Sequence, residues 1–349
     1  MNLNSLIQQV KLNCNISDAK YWGYYSICGM LLRLRHLYRV EHSLKPWESI
    51  PTEDITKWIS EREALWETLQ DKPLQPIRIE DNIFDPFSFE EINNIIEKEG
   101  LVYGGGFGMF NKPTFFLAKI EELKEVYDYK VYYAERELCR DMSYSAAMVQ
   151  GRCIYIRFDP LLIMLWEKLL EMRAGRSSTH LKEAFEAFGV YLNAGQEQEL
   201  YKKLEKLCRE LSPLLLFHEI GEVYEDESIE QWLSILQKAK NREQELYLRA
   251  IKDIMADTSE LGPLKFIVEE RDIRLLHFYI ALLDRERREL FPEILTSYTL
   301  FRENRNWQLI EDARKKGYER AKELYRKIIS VAPEGIEKII TKELSSKQY

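Results

Sequence analysis

Between Leu101 and about Phe158 the chain abandons the helical period that governs it on either side. The segments "LVYGGGFG", "TFFLAKI", "YKVYYAERE" and "RCIYIRF" are short, rich in aromatic and β-branched residues, and divided by Gly, Pro and Asp. The pattern predicts a small sheet of three or four strands set into an otherwise helical chain. The expected fold is therefore mainly α: a multi-helix protein with a β-sheet insertion at about residues 101–158. Four regions follow: a helical 1–100, an insertion at 101–159 with a Gly-rich hairpin, a helical 160–300, and a highly charged helical arm at 301–349, read as peripheral.

The helical parts carry their own start signals. Ser17 is expected to cap a run through "DAKYWGYYSICGMLLRLRHLYRVE". Thr52 opens a second helix, on which Ile55, Trp58, Ile59, Trp66 and Leu69 share one face. Ser88 and Glu91 spell a capping box, Phe87 and Ile92 a hydrophobic staple, and Gly100 a C-terminal stop. Beyond Pro160, starts are expected at Ser212-Pro213, at Ser228 with Gln231 as its box partner, and at Asn241.

At 349 residues and 45% apolar content the chain can build a substantial core. A net charge of −8 argues against nucleic acid or an anionic membrane as the dominant partner, while leaving local basic patches open. The start "MNLNSLIQQVKLN" lacks the basic and apolar regions of a secretory signal, and no segment approaches the roughly 18 apolar residues of a membrane span. The expectation is a cytoplasmic protein with no membrane or nucleic-acid partner. Five scattered cysteines without CxxC spacing read as reduced thiols.

The chemistry-bearing stretch is "PLLLFHEIGEVYED". On a helix His218 and Glu222 stand one turn apart and can bind one ion, while Glu219, about 100° round, can act on a metal-bound water. Glu222 as a ligand hardens the site, towards Mn or Fe without excluding Zn. Gly221 lets another element approach closely. An HExxE match arises by chance in fewer than about one in ten chains of this composition. Leu216, Phe217, Ile220, Val223 and Tyr224 gather on the side opposite His218, Glu222 and Glu225, so the motif face is either a cleft or solvated.

A third ligand is sought on "NREQELYLRAIKDIMADT", where Glu243 and Asp257 fall inside the apolar stripe and Asp253 at its edge. Inward acids need partners: one divalent metal (Zn, Mn or Fe) shared with His218 and Glu222, or Arg and Lys from neighbouring helices. Three functions remain open: a metal-dependent hydrolase with Glu219 as base, a non-catalytic helical interaction protein with salt-bridged acids, and a mononuclear iron redox protein. Whether the chain is an enzyme is undecided.

Gly104, Gly105, Gly106 and Gly108 invite a phosphate-loop reading, but "NKPT" is not GK[ST] and no helix follows, so no nucleotide is expected. A β-hairpin turn or flexible binding loop is the better reading, with a lid over a nearby pocket as its functional version. "RLRHLYRVEH" and "AERELCRDM" concentrate charge, and each reads more simply as ion pairs or a solvated face.

The segments "CGMLLRLRHLY", "KPWE", "EREALWE", "GLVYGGGFG", "KPTFFLA", "HEIGE" and "RAIKDIMADT", in that order, resemble an uncharacterised prokaryotic protein family of similar length, over about Tyr21 to Pro292. That resemblance implies no activity. "HEIGE" separately resembles the zincin metallopeptidase helix over five positions. His218 and Glu219 match that motif's first ligand and general base, and Glu222 departs from its second His.

Overall fold

The first helix, α1 (Leu3–Tyr21), starts at Asn2, whose side-chain oxygen accepts the Ser5 N–H at 3.1 Å. The computed structural model of the protein describes residues 1–108, 111–176, 179–192, 197–225, 229–239, 241–331, 335–336 and 338–340. It is mostly helical, at 65%, and divides into two units, Met1–Glu167 and Lys168–Tyr349. In the first unit α2 (Ile27–Glu41) and α3 (Thr52–Leu69) follow α1. Next come a ribbon of β1 (Ile77–Ile79) and β2 (Asn82–Phe84), and then α4 (Phe89–Ile96). A sheet completes the unit: β3 (Leu101–Phe107), β4 (Pro113–Val126), β5 (Tyr129–Arg140), β6 (Ala147–Gln150) and β7 (Cys153–Arg157). After it α5 (Phe158–Arg173) runs across the boundary.

The predicted insertion is present, with five strands rather than three or four, in the order β3-β4-β5-β7-β6. The extra strand, β6, spans only "AMVQ", too short to show a period. All pairings are antiparallel except β5 with β7. Register shifts in the β4–β5 pair, between Leu117 and Glu122, bend the strands, and the sheet curls into a half-barrel. Its alternation is legible in the core. Leu101, Tyr103, Phe115 and Leu117 pack with Leu6, Val10 and Cys14 of α1, while Val102, Phe116 and Ala118 pack with Tyr132 and Tyr155 on the other face.

Two expectations for this unit give way. Ser17 lies inside α1 and donates to the Pro113 carbonyl instead of capping a helix, because α1 ends at Tyr21 and Ser26 caps α2. Ser88 does precede α4, but its side chain makes no cap hydrogen bond. Gly100, at φ 70°, ends that segment as expected.

Polar groups inside the unit are paired in a recurrent way. Asn93 donates to the Tyr103 carbonyl at 2.8 Å and accepts the Tyr103 N–H at 2.7 Å. Asn13 treats Gln75, and Gln9 treats Arg78, in the same two-way fashion. A carboxamide carries the donor and acceptor of a peptide bond, so Asn93 and Gln9 stand in for a missing neighbour of β3 and β1, and Asn13 does the same for the segment that leads into β1. Nearby, Lys112 is buried between Asp18 and Asp141, at 3.0 and 3.1 Å.

In the second unit, α6 (Thr179–Ala187) and α7 (Glu197–Tyr224) are followed by α8 (Ile229–Gln237), α9 (Arg242–Thr258), α10 (Pro263–Glu270) and α11 (Ile273–Leu282). Then come α12 (Arg285–Leu290), α13 (Pro292–Asn304) and α14 (Trp307–Ile329). The start expected at Ser212-Pro213 is a correction: α7 begins sixteen residues earlier, at Glu197, and Pro213 lies inside it. Proline has no N–H for the Arg209 carbonyl, and the Ser212 hydroxyl supplies the donor instead, at 2.8 Å. Asn241 caps α9, accepting from Gln244 N at 2.8 Å. Ser228, the other expected cap, lies outside the described residues.

The expectation of a peripheral C-terminal arm is also corrected over the described part of that segment. Ile310, Ala313, Gly317, Ala321, Leu324 and Ile328 form a buried stripe on α14, and only the opposite face is charged and solvated. Arg314, 1% exposed, donates to the Thr258 and Ser259 carbonyls at the end of α9, groups that a helix terminus leaves without partners.

We expect Lys112→Met to destabilise the full chain by about 3–5 kcal/mol at pH 8, because it leaves two buried carboxylates without their cation. The loss should shrink on acidification, as those carboxylates take up protons, and urea titrations at pH 8 and pH 5 read both effects.

Candidate functional site

Gly221 sets the geometry of the HEIGE helix. A side chain there would meet the Ala256 carbonyl oxygen at 2.4 Å, so α7 and α9 touch backbone to backbone at this point. The two helices that sequence analysis singled out therefore pack side by side. The motif face of α7 is covered by α9, and Glu219, Ile220 and Gly221 are all buried. Single-helix periodicity could not choose between a cleft and a solvated face, because the choice depends on the neighbour.

The approach brings His218 to Asp257: Nδ1 donates to Oδ1 at 2.7 Å. Tyr279 of α11 donates to the other oxygen, Oδ2, at 3.1 Å, and Arg287 of α12 lies 3.5 Å from it. Asp257 is thus held by donors from three helices. Burial alone would raise its pKa, yet His218 and then Arg287 and Tyr279 bring it below the usual carboxylate range. Burial would likewise lower the His218 pKa. The Asp257 charge, with Asp253 and Glu219 behind it, outweighs that and lifts it to about 10.

Two further acids stand beside this pair. Burial, with Glu222 and Asp253 nearby, pushes Glu219 up to about 7 against the pull of His218. Burial likewise pushes Asp253 up to about 6, despite His218 and Arg287. Among the described residues neither carboxyl has a hydrogen-bond partner, nor has the His218 Nε2. Glu222 stands at the edge of the cluster, half-buried.

Glu243 is not among them. It is exposed, ten residues before Asp253 on α9 and so about 15 Å away along the axis. The expectation that it points inward is corrected: it occupies the first turn after the Asn241 cap, where an acid faces the positive end of the helix and water, and Gln244 takes the buried position. Among the described residues no three His, Cys, Asp or Glu side chains converge as a metal ion would require.

The glycine run is also placed differently from expectation. Gly104, Gly105 and Gly106 are the body of strand β3, not a loop, and Gly108 follows the strand. Each of the three is closely approached: Gly104 by the Phe116 ring, Gly105 by the Pro86 carbonyl, Gly106 by Gln150. Gln150, on the opposite edge strand β6, accepts the Gly105 N–H at 3.0 Å. The run is a seam where the two edges of the curled sheet meet.

In the charged stretches several side chains are engaged internally, while Arg35 stays exposed. Arg33 lies between the rings of Tyr25 and Tyr144, 4.6 Å from each centroid. Arg39 donates to the Lys45 and Glu48 carbonyls, and Arg140 and Arg157 share Glu137. In the same unit a groove of about 520 Å³ opens between α1 and α3, over Glu41 and its partners Arg62 and Trp58. It contains none of the predicted site residues.

Residues 5–157 match the N-terminal domain, and residues 162–345 the C-terminal domain, of DUF6866, a family of unknown function. The chain belongs to the DUF6866 family. The match extends past both ends of the Tyr21 to Pro292 stretch on which a family resemblance was expected, and it gives no support to a zincin relationship. No curated protein and no solved structure matches the chain. The acid cluster of α7 and α9 lies wholly in the DUF6866 C-terminal domain.

The raised Glu219 pKa has a signed consequence. The folded state holds this proton up to about pH 7 against an ordinary 4.5, so folding loses stability as pH rises through that interval. We expect Glu219→Gln, which cannot ionise, to be more stable than the parent above pH 7 by about 1–3 kcal/mol, the difference vanishing near pH 4. Paired urea titrations across this range measure it.

Proposed function

We propose that this DUF6866 protein is a cytoplasmic, non-catalytic interaction protein whose second unit is locked by a buried charge network. The observation that carries the reading is that both oxygens of Asp257 already have protein partners: His218 donates to Oδ1, Tyr279 donates to Oδ2, and Arg287 lies 3.5 Å from Oδ2. The raised His218 pKa keeps the imidazolium charged, so the pair holds through neutral pH and weakens only as pH climbs towards about 10. On this reading the inward acids of α9 tie α7, α11 and α12 together, and the surfaces are left for partners.

A second reading, a metal-dependent hydrolase, draws on a different observation. His218 donates through Nδ1 to a carboxylate, an arrangement that also orients metal-binding imidazoles, and among the described residues its Nε2 has no hydrogen-bond partner, with Glu219 and Asp253 nearby. Here His218 and Glu222 are the ligands, Glu219 the base, and Asp257 an orienting group rather than a ligand. Glu243 is too distant to join them.

Elemental analysis of untagged protein purified without chelator separates the two. The interaction reading expects no stoichiometric Zn, Mn or Fe, and a loss of about 3–5 kcal/mol for Asp257→Asn, which leaves Arg287 and His218 without their anion. One equivalent of metal that is absent from His218→Ala and Glu222→Ala but kept in Glu219→Gln would replace that reading with the hydrolase. If the metal were redox-cycling iron, it would point to electron transfer.

A further inference from the structure

The surface around the start of α2 departs from the rest of the chain in two ways. Trp22 is 48% exposed, Tyr24 60%, Ile27 75%, Leu31 45% and Leu32 42%. Ile27, Leu31 and Arg35, each one turn apart, form one outward line, while Leu34 and Leu37 turn into the core with Ile16 and Trp66. These are five large exposed apolar side chains within residues 22–32, a concentration that monomeric soluble surfaces avoid.

The second departure is charge. In a chain with 58 acidic residues, none occurs between Asp18 and Glu41, a stretch that contains Lys20, Arg33, Arg35 and Arg39. Arg33 and Arg39 are engaged internally, which leaves Lys20 and Arg35 as the exposed cations flanking the apolar face. The net charge of −8 weakens any attraction of the whole molecule to an anionic surface. This face is a local exception.

We propose that the Trp22–Tyr24 turn and the outer face of α2 dock on an anionic lipid surface. Ile27 and Leu31 project from the outer face of α2, so a protein partner would need a hollow that matches them. A bilayer needs only projecting aliphatic tips, aromatic rings with polar ends at headgroup level, and cations beside them. Among the described residues no helix is long and apolar enough to cross a membrane, so the contact is with the surface. The proposal gives the interaction reading a partner, yet it rests on the first unit alone, and a metal found in the second would leave it standing.

Co-sedimentation of the full chain with phosphatidylcholine vesicles, with and without phosphatidylserine, tests it. The parent should pellet with the anionic vesicles, less so as salt rises. Ile27→Glu with Leu31→Glu should lower the partition coefficient at least about tenfold, and Arg35→Glu should lower it and reduce the salt dependence. Ile83→Glu, at a 61% exposed apolar position on β2, should bind like the parent. Trp22→Ala, which adds no charge, replaces the double variant if that variant melts lower. A parent that stays in the supernatant, or a patch variant that binds undiminished, overturns the proposal. So does a parent dimer that the patch variant dissociates without any vesicle binding, or patch-dependent binding to soluble poly-glutamate alone.

Discussion

A carboxylate as deeply buried as Asp257 is tolerable only with charged and hydrogen-bonded partners, and the second unit is arranged around supplying them. The donors come from α7, α11 and α12, while Asp257 itself is on α9, so one side chain couples four helices. The coupling requires α7 and α9 to touch, and Gly221 permits that contact. Arg314 then covers the carbonyls at the end of α9. Glycine, salt bridge and carbonyl cap act on the same helix within a few residues of one another. The acids that remain, Glu219 and Asp253, respond to the same burial by holding protons to higher pH.

The first unit solves its polar problem with neutral groups as well as charges. Gln9 and Asn13 of α1, and Asn93 of α4, each offer one backbone residue both a donor and an acceptor, so the backbone of β1, of β3 and of the segment before β1 is satisfied by helix side chains. Gln150 extends the device across the seam of the curled sheet to Gly105. Side chains at 104 and 105 would overlap the Phe116 ring and the Pro86 carbonyl, and one at 106 would push the Gln150 side chain aside.

How far the fold could be read varied with the range of the interactions. The α3 stripe of Ile55, Trp58, Ile59, Trp66 and Leu69, the Asn241 cap, the Gly100 stop and the β insertion are local patterns, and all are present. The misreadings fall where a residue answers to something distant. Ser17 serves Pro113, Pro213 is tolerated because Ser212 repairs its helix, and the glycine run packs a seam instead of forming a loop. The amide-rich start "NLNSLIQQVKLNCN" hid α1, since its buried polar residues dilute the helical period while pairing with strands the sequence does not place beside them.

The candidate site was legible only in part. Composition and spacing by themselves determined that the chain is mainly helical with a β insertion, that His218 and Glu222 share a helix face, and that Asp253 and Asp257 lie on or beside an inward stripe. Those properties follow from the fixed periods of single helices and strands. Tertiary structure alone decided that α9 covers the motif, that Asp257 rather than Glu243 meets His218, and that Tyr279 and Arg287 complete the set. The physical reason is that burial and charge compensation belong to pairs of elements, and a period read along one helix contains no information about which neighbour lies against it.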